Sequence, residues 1–302
     1  MKNTIAKHIL FFLLSFIIFH QGIADSLRVQ KNRKIILIGV SGVAYSTSLV
    51  ALNNAWYKSY HTGDFHFFND NAEWLQMDKL GHAFTTYQVA LCGMNSMKWA
   101  AYSKNVSTWV GGMSGSILMT GIEVLDGFSS GWGFSWGDMG ANLSGSLIAT
   151  VQQHVWNEQK IRLKYSYHST SYPSYRPELL GNNLPGHILK DYNGQTYWLS
   201  INLASFLKSK NSFPKWLNLA LGYGAEGMIS GRPNYVIVEA DGNVIGNNRY
   251  RKYYLSLDID LSKIHTQVKW INSILKTVNI LKIPSPTLEF SDKSFKGHYL
   301  FY

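Results

Sequence analysis

Three short stretches hold residue types able to move protons or bind a cation. Asp78 and His82 lie four apart in "MDKLGHAF", Glu123 and Asp126 three apart in "GIEVLDG", and Asp138 and Asn142 four apart in "GDMGAN". Residues three or four apart share a helix face, so each pair presents its polar atoms together. An imidazole oriented by a carboxylate serves as general acid or base. Carboxylates crowded into an apolar setting titrate away from their ordinary values, and oxygen and imidazole nitrogen ligands suit a divalent cation. The same residues also suffice for an interhelical hydrogen-bond and salt-bridge network, because polar groups among apolar ones must pair. Network, proton-transfer site and metal site therefore all remain open. A metal has the least support, since no HExxH or paired-cysteine pattern accompanies the single histidine. No organic cofactor is expected: the chain has no phosphate-binding glycine loop or dinucleotide fingerprint, and "GMSGS" at 112–116 puts Ser116 where a nucleophile elbow needs glycine.

The elements that must position these residues are four segments free of formal charge, 35–57, 80–97, 105–122 and 139–157. Each has the length of a long buried or membrane helix, yet each contains Gly, Ser, Thr or Asn. Small residues four apart (Gly111 with Gly115, Gly112 with Ser116, Gly140 with Ser144, Ala141 with Gly145) allow helix backbones to approach closely. Short connections make successive helices antiparallel. The expected fold is therefore mainly α, an antiparallel four-helix membrane-associated bundle with a smaller C-terminal α+β extension. Such a bundle gathers Asp78, Lys79, His82, Glu123, Asp126, Asp138 and Asn142 at one pole. It sends Arg28, Lys31, Arg33, Lys34, Lys98, Lys104, Lys160, Arg162 and Lys164 to the other. Asp78 at a helix start is favoured by the macrodipole, whereas Glu123 and Asp126 at a helix end need compensation from Lys79, His82, a cation or a cationic ligand group.

Composition bears on location and partners. Charged residues make up 15% of the 302, below the ~25% of ordinary globular chains, while 46% are hydrophobic. The start, "MKNTIAKHILFFLLSFIIFHQGIADS", has Lys2 and Lys7 before an apolar run at 9–19 and small residues near Ala24. That pattern predicts a signal peptide over 1–24 and an exported chain, periplasm-facing and associated with the outer or inner membrane. Positive-inside reasoning would put the basic pole in the cytoplasm; the signal pattern is the more specific of the two. No lipid-attachment cysteine follows, and the single cysteine, Cys92, lies in an apolar segment. The net charge of +10 is spread along the chain rather than clustered, so nucleic acid is not expected and membrane lipid or an envelope protein is.

The domain boundary is expected near residue 165, dividing a helical part, 25–165, from an extension, 166–302. In the latter, "RYRKYYLSLDIDLSKI" alternates as a strand and "YVIVEADGNVIG" offers another with Asp241 and Gly242 at its turn. The stretches around 191–208 and 213–228 fit strand or helix equally. Residues 264–281 read as a helix ended by Pro284 and Pro286, and "HYLFY" as a last strand. Too few strands are evident for a closed barrel of eight. Trp132, Phe134 and Trp136 are of the type that anchors at a membrane edge.

"DKLGHAF" at 78–84, "GIEVLDG" at 121–127 and "SGWGFSWGDMGANLSGSLIA" at 130–149 together resemble the YfiM-like family of bacterial envelope proteins, domain of unknown function 2279. Their order is similar to that of VanZ-like membrane proteins, in which an Asp-Lys-x-x-His helix start precedes a Glu and then an Asp-x-x-x-Asn helix start. The resemblance covers 74–157 and implies an envelope location and a small helical domain, without choosing between scaffold and enzyme. VanZ-like relatives imply a lipid-linked or peptidoglycan-related partner. The expected function is a membrane-associated scaffold or lipid- or partner-binding protein. The alternative is an enzyme acting on lipid head groups or lipid-linked phosphate through the His/Asp/Glu cluster.

Overall fold

The computed structural model describes residues 27–54, 60–207 and 213–301, except 234, 240, 241, 243 and 247. The expected signal peptide and Asp241 of the expected turn lie outside the described residues. The chain divides into two units, residues 1–70 with 85–158 and residues 71–84 with 159–302.

The first unit is helical: α1 (Leu27–Leu52), α2 (Met77–Trp99, from Thr85 onward), α3 (Lys104–Gly127) and α4 (Trp136–Trp156). Serines start the last two. Ser103 Oγ accepts from Val106 N–H at 3.4 Å and Ser135 Oγ from Asp138 N–H at 3.1 Å, each satisfying a donor that the helix leaves unpaired. Backbones then meet where side chains are missing. A Cβ on Gly111 would lie 2.7 Å from the Met94 amide nitrogen, and one on Gly115 would run into the Thr86 carbonyl. Gly111 and Gly115 thus sit at helix crossings as their spacing predicts. Gly140 does not, since nothing lies within 4 Å of its would-be Cβ. Close packing joins α2, α3 and α4. The expected fourth member, α1, has no buried residue. It meets the others at Tyr45, whose hydroxyl donates to the Leu118 carbonyl at 3.3 Å, and at Arg33, which donates to the Trp99 carbonyl at 3.2 Å. Among the described residues α1 alone is long and apolar enough to cross a membrane.

The second unit is built on an antiparallel six-stranded sheet, order β1 (Ile161–Tyr167), β2 (Gln195–Ile201), β3 (Leu217–Glu226), β6 (Tyr250–Ile259), β7 (Ser285–Ser291), β8 (Ser294–Phe301). The hairpin β4 (Ile237–Val238) and β5 (Val244–Ile245) stands apart as a second sheet. Helix α5 (Leu184–Lys190) precedes β2, and α6 (Lys269–Val278) links β6 to β7. With six strands and both flanking sets of residues, this unit is no minor appendage to the helices, contrary to the expectation of a smaller extension.

Alternation along the strands sends polar side chains inward. Lys164 Nζ lies 2.7 Å from Asp258 Oδ2 with neither side chain exposed, and Ser200 Oγ donates to the same carboxylate oxygen at 2.6 Å. Arg162 Nε meets Asp260 Oδ2 at 3.3 Å, and His298 Nε2 lies 2.8 Å from Glu289 Oε2. Arg162 and Lys164, expected on a basic rim of the bundle, are instead strand residues of this interior. Burial pulls the Lys164 amine below its ordinary value although Asp258 opposes the shift. Burial works against ionisation of Asp260, but Arg162 and Ser262 outweigh it and hold the carboxyl below its ordinary value.

Candidate functional site

In the helical unit the loop between α3 and α4 is braced by residues 61–68. Gly63 N–H donates to the Phe128 carbonyl at 2.8 Å, Phe68 N–H to the Phe134 carbonyl at 3.0 Å, and Phe134 N–H to the His66 carbonyl at 3.0 Å. That bracing brings Asp70 to Ser135, whose hydroxyl donates to Asp70 Oδ1 at 2.6 Å. Ser135 N–H faces Glu123 Oε2 at 3.4 Å, and Ser135 Oγ caps Asp138. Two carboxylates, those of Asp70 and Glu123, are therefore organised around one serine that also caps the helix at Asp138, with Glu123 and Asp138 buried and Asp70 half-buried. Asn142, fully buried, lies one turn further into α4; its carbonyl accepts from Ser116 Oγ at 2.8 Å, while Ser116 N–H donates to Ser146 Oγ at 2.9 Å. Asp126 is half-buried, and its carbonyl takes the Phe128 and Ser129 amides that end α3.

The first two turns of α2 belong to the sheet unit. There Asp78 Oδ1 accepts from Tyr192 Oη at 2.9 Å, and Lys79 Nζ lies 3.3 Å from Oδ2. His82 Nε2 stands 3.8 Å from Asp78 Oδ1, an ion-pair distance too long for a hydrogen bond. The expected pairing of His82 with Asp78 thus exists as proximity, and the tighter partner of Asp78 is a tyrosine. A second phenol, Tyr197, donates to Gln195 Oε1 at 2.8 Å and fits because Gly81 has no side chain, a Cβ there lying 3.0 Å from its hydroxyl. Burial, with the Asp78 charge, pushes the Tyr197 phenol well above its ordinary value, so it stays neutral.

Of the expected site residues, Glu123, Asp138 and Asn142 sit together in the helical unit, Asp78 and His82 in the sheet unit. Sequence reasoning missed Asp70 and Tyr192. Their partners are 65 and 114 residues away, and neither belongs to a spacing pattern. Chemically, the Ser135 group offers carboxylate oxygens suited to a hard cation or to a donor-rich head group. The Asp78 group offers a carboxylate, an amine, an imidazole and two phenols. Residues 64–154 match the model of a family described as "Predicted periplasmic lipoprotein (DUF2279)", a span that includes every expected site residue. No curated protein and no solved structure matches the chain.

Proposed function

We propose that this chain, whose residues 64–154 belong to the DUF2279 family of predicted periplasmic lipoproteins, is a scaffold of the cell envelope that binds lipid or an envelope partner and catalyses no reaction. The family and the apolar N-terminal helix place it in the envelope, facing the periplasm. Its one cysteine, Cys92, is in the middle of α2, which is not where an N-terminal lipid would attach. The observation that carries the reading is the inverted burial of the helical unit. Ser107, Thr108, Glu123, Asp138, Asn142 and Ser146 are buried, while Trp109, Val110, Ile117, Val124, Leu143 and Val151 are exposed. In water that arrangement forfeits the hydrophobic effect; in lipid it is the favourable one. On this reading α1 crosses the membrane, α2, α3 and α4 lie against the bilayer beside it, and the polar group around Ser135 fixes how they pack. Alkaline carbonate should leave the full chain in the membrane pellet; release into the supernatant defeats the reading.

The alternative, an enzyme acting on lipid head groups or lipid-linked phosphate, draws support from the buried carboxylates Glu123 and Asp138 and from a motif order similar to that of VanZ-like proteins. It assigns proton transfer to Asp78 and His82, and electrostatic or divalent-metal roles to Glu123, Asp126 and Asp138. His82→Gln and Asp78→Asn decide between the two. Variants that fold normally yet lose a lipid-modifying activity would establish the enzyme; unchanged envelope lipids with an altered melting temperature support the scaffold.

A further inference from the structure

The sheet of the C-terminal unit is as inverted as the helices. Its register aligns one aromatic residue from every strand: Tyr165, Tyr197, Tyr223, Tyr253, Phe290 and Phe295 are consecutive cross-strand partners. Two residues further along each strand runs a second row, Leu163, Leu199, Leu221, Leu255 and Leu288, ending on Gly297. Beyond it come Ile161, Ile201, Leu219 and Leu257. Residues 74–84 cover part of the aromatic row, with Phe84 at 5.7 Å from both the Tyr165 and Tyr197 rings. The rest is open: Leu221, Leu255 and Leu257 are 45%, 45% and 46% exposed. Past the far end of β2 and β3 are exposed Phe206 and Trp216.

We propose that this outward face is a lipid-contact surface, seated against the acyl chains of one leaflet of a phospholipid bilayer, with the aromatic row at the head-group level. The inference rests on the membrane location argued above and adds the sheet to it.

Chemistry favours lipid over protein, because the two rows beyond the aromatic one consist of Leu and Ile side chains, without the hydrogen-bonding groups that a protein interface carries about every 100–200 Å²; Tyr299 lies at the rim of the groove. Gly297 leaves the leucine row open beside Leu288, with nothing within 4 Å of its would-be Cβ, and the resulting groove suits an acyl chain. Helix α6 adds an interfacial element: Trp270, Ile274 and Val278 form one exposed stripe, with Lys269 and Lys276 exposed for anionic head groups. The sheet is not a complete barrel, since β8 has β7 as its one sheet neighbour and an open edge is unfavourable in hydrocarbon. Contact is therefore by the face.

The test uses the full chain carrying Cys92→Ser, with a single cysteine introduced by Leu255→Cys, and in a second variant by Leu288→Cys. Each is labelled with an environment-sensitive fluorophore and reconstituted into phosphatidylcholine vesicles containing phosphatidylglycerol, with circular dichroism confirming the fold. Acyl-brominated lipid should quench both labels at least twofold while aqueous iodide leaves them bright. Chain that floats with the vesicles but has labels quenched by iodide overturns this inference and spares the membrane reading; chain that fails to float defeats both. Labels protected from both quenchers mean that protein, a second copy included, covers the face, which also overturns it.

Discussion

Lys164 and Asp258 pair at 2.7 Å although β1 and β6 are three positions apart in the sheet. Three strand spacings on a flat sheet measure about 14 Å, more than the two side chains reach, so the sheet curls around this pair. The ion pair lies in an interior that is polar around it and aromatic around Trp198 and Tyr254.

Removing one partner strands a buried charge. Lys164→Met or Asp258→Asn alone should cost about 3–5 kcal/mol, whereas Lys164→Met with Asp258→Leu should recover most of that loss. Denaturant unfolding of the full chain in detergent, followed by tyrosine and tryptophan fluorescence, measures all three.

Lys282 gives the unit a pH dependence. Burial, with Asp258 opposing and Lys164 reinforcing the shift, lowers its amine from 10.5 to about 8. Between those values the unfolded chain binds the extra proton and the folded one does not. Stability therefore rises with pH across that window, by at most about 1.4 kcal/mol per pH unit. In Lys282→Met this contribution to the slope of unfolding free energy against pH should vanish.

Two glycines of the helical unit should respond in opposite ways. Gly115→Leu forces a side chain into the Thr86 backbone and should destabilise by about 3 kcal/mol or more. Gly140→Ala meets nothing and should gain up to ~1 kcal/mol of helix propensity. Thermal melts of the two variants beside the parent check the contrast.

Ser135→Ala removes the cap of α4 and the hydroxyl that serves Asp70. The cap alone is worth about 0.5–2 kcal/mol; Ser135→Thr, which keeps the hydroxyl, should restore most of the loss. Amide hydrogen exchange at Asp138, whose N–H the serine accepts, reports the cap directly.

The helices were legible as charge-free runs: α2 and α4 lie within three residues of those runs at each end, whereas α1 begins eight residues earlier and α3 ends five residues later than its run, because charged residues extend both. Strand β6 was legible by alternation, as was the β4 and β5 hairpin. Strand β1, "IRLKYSY", alternates just as cleanly. Its Arg162 and Lys164 read as part of the basic pole of the bundle, whereas the sheet turns them toward Asp260 and Asp258. Strand β7 was missed because Pro286 reads as a breaker. It lies at an irregularity in the pairing between Ser285 and Thr287, where a strand tolerates proline. Helix spacing put Asp78 near His82, at 3.8 Å, and Asn142 one turn after Asp138, but Asp70 and Tyr192 reach their partners through loops whose paths no periodicity encodes.

The bare flank of β8 has a consequence for handling the molecule. From Ser294 to Phe301 it offers a row of amide and carbonyl groups that, among the described residues, no other strand of the sheet takes up, beside Phe295, Tyr299 and Leu300, all strongly exposed. Chains produced faster than a membrane can receive them will find this flank on one another, so overproduction without lipid or detergent should yield ordered aggregates rather than soluble monomer.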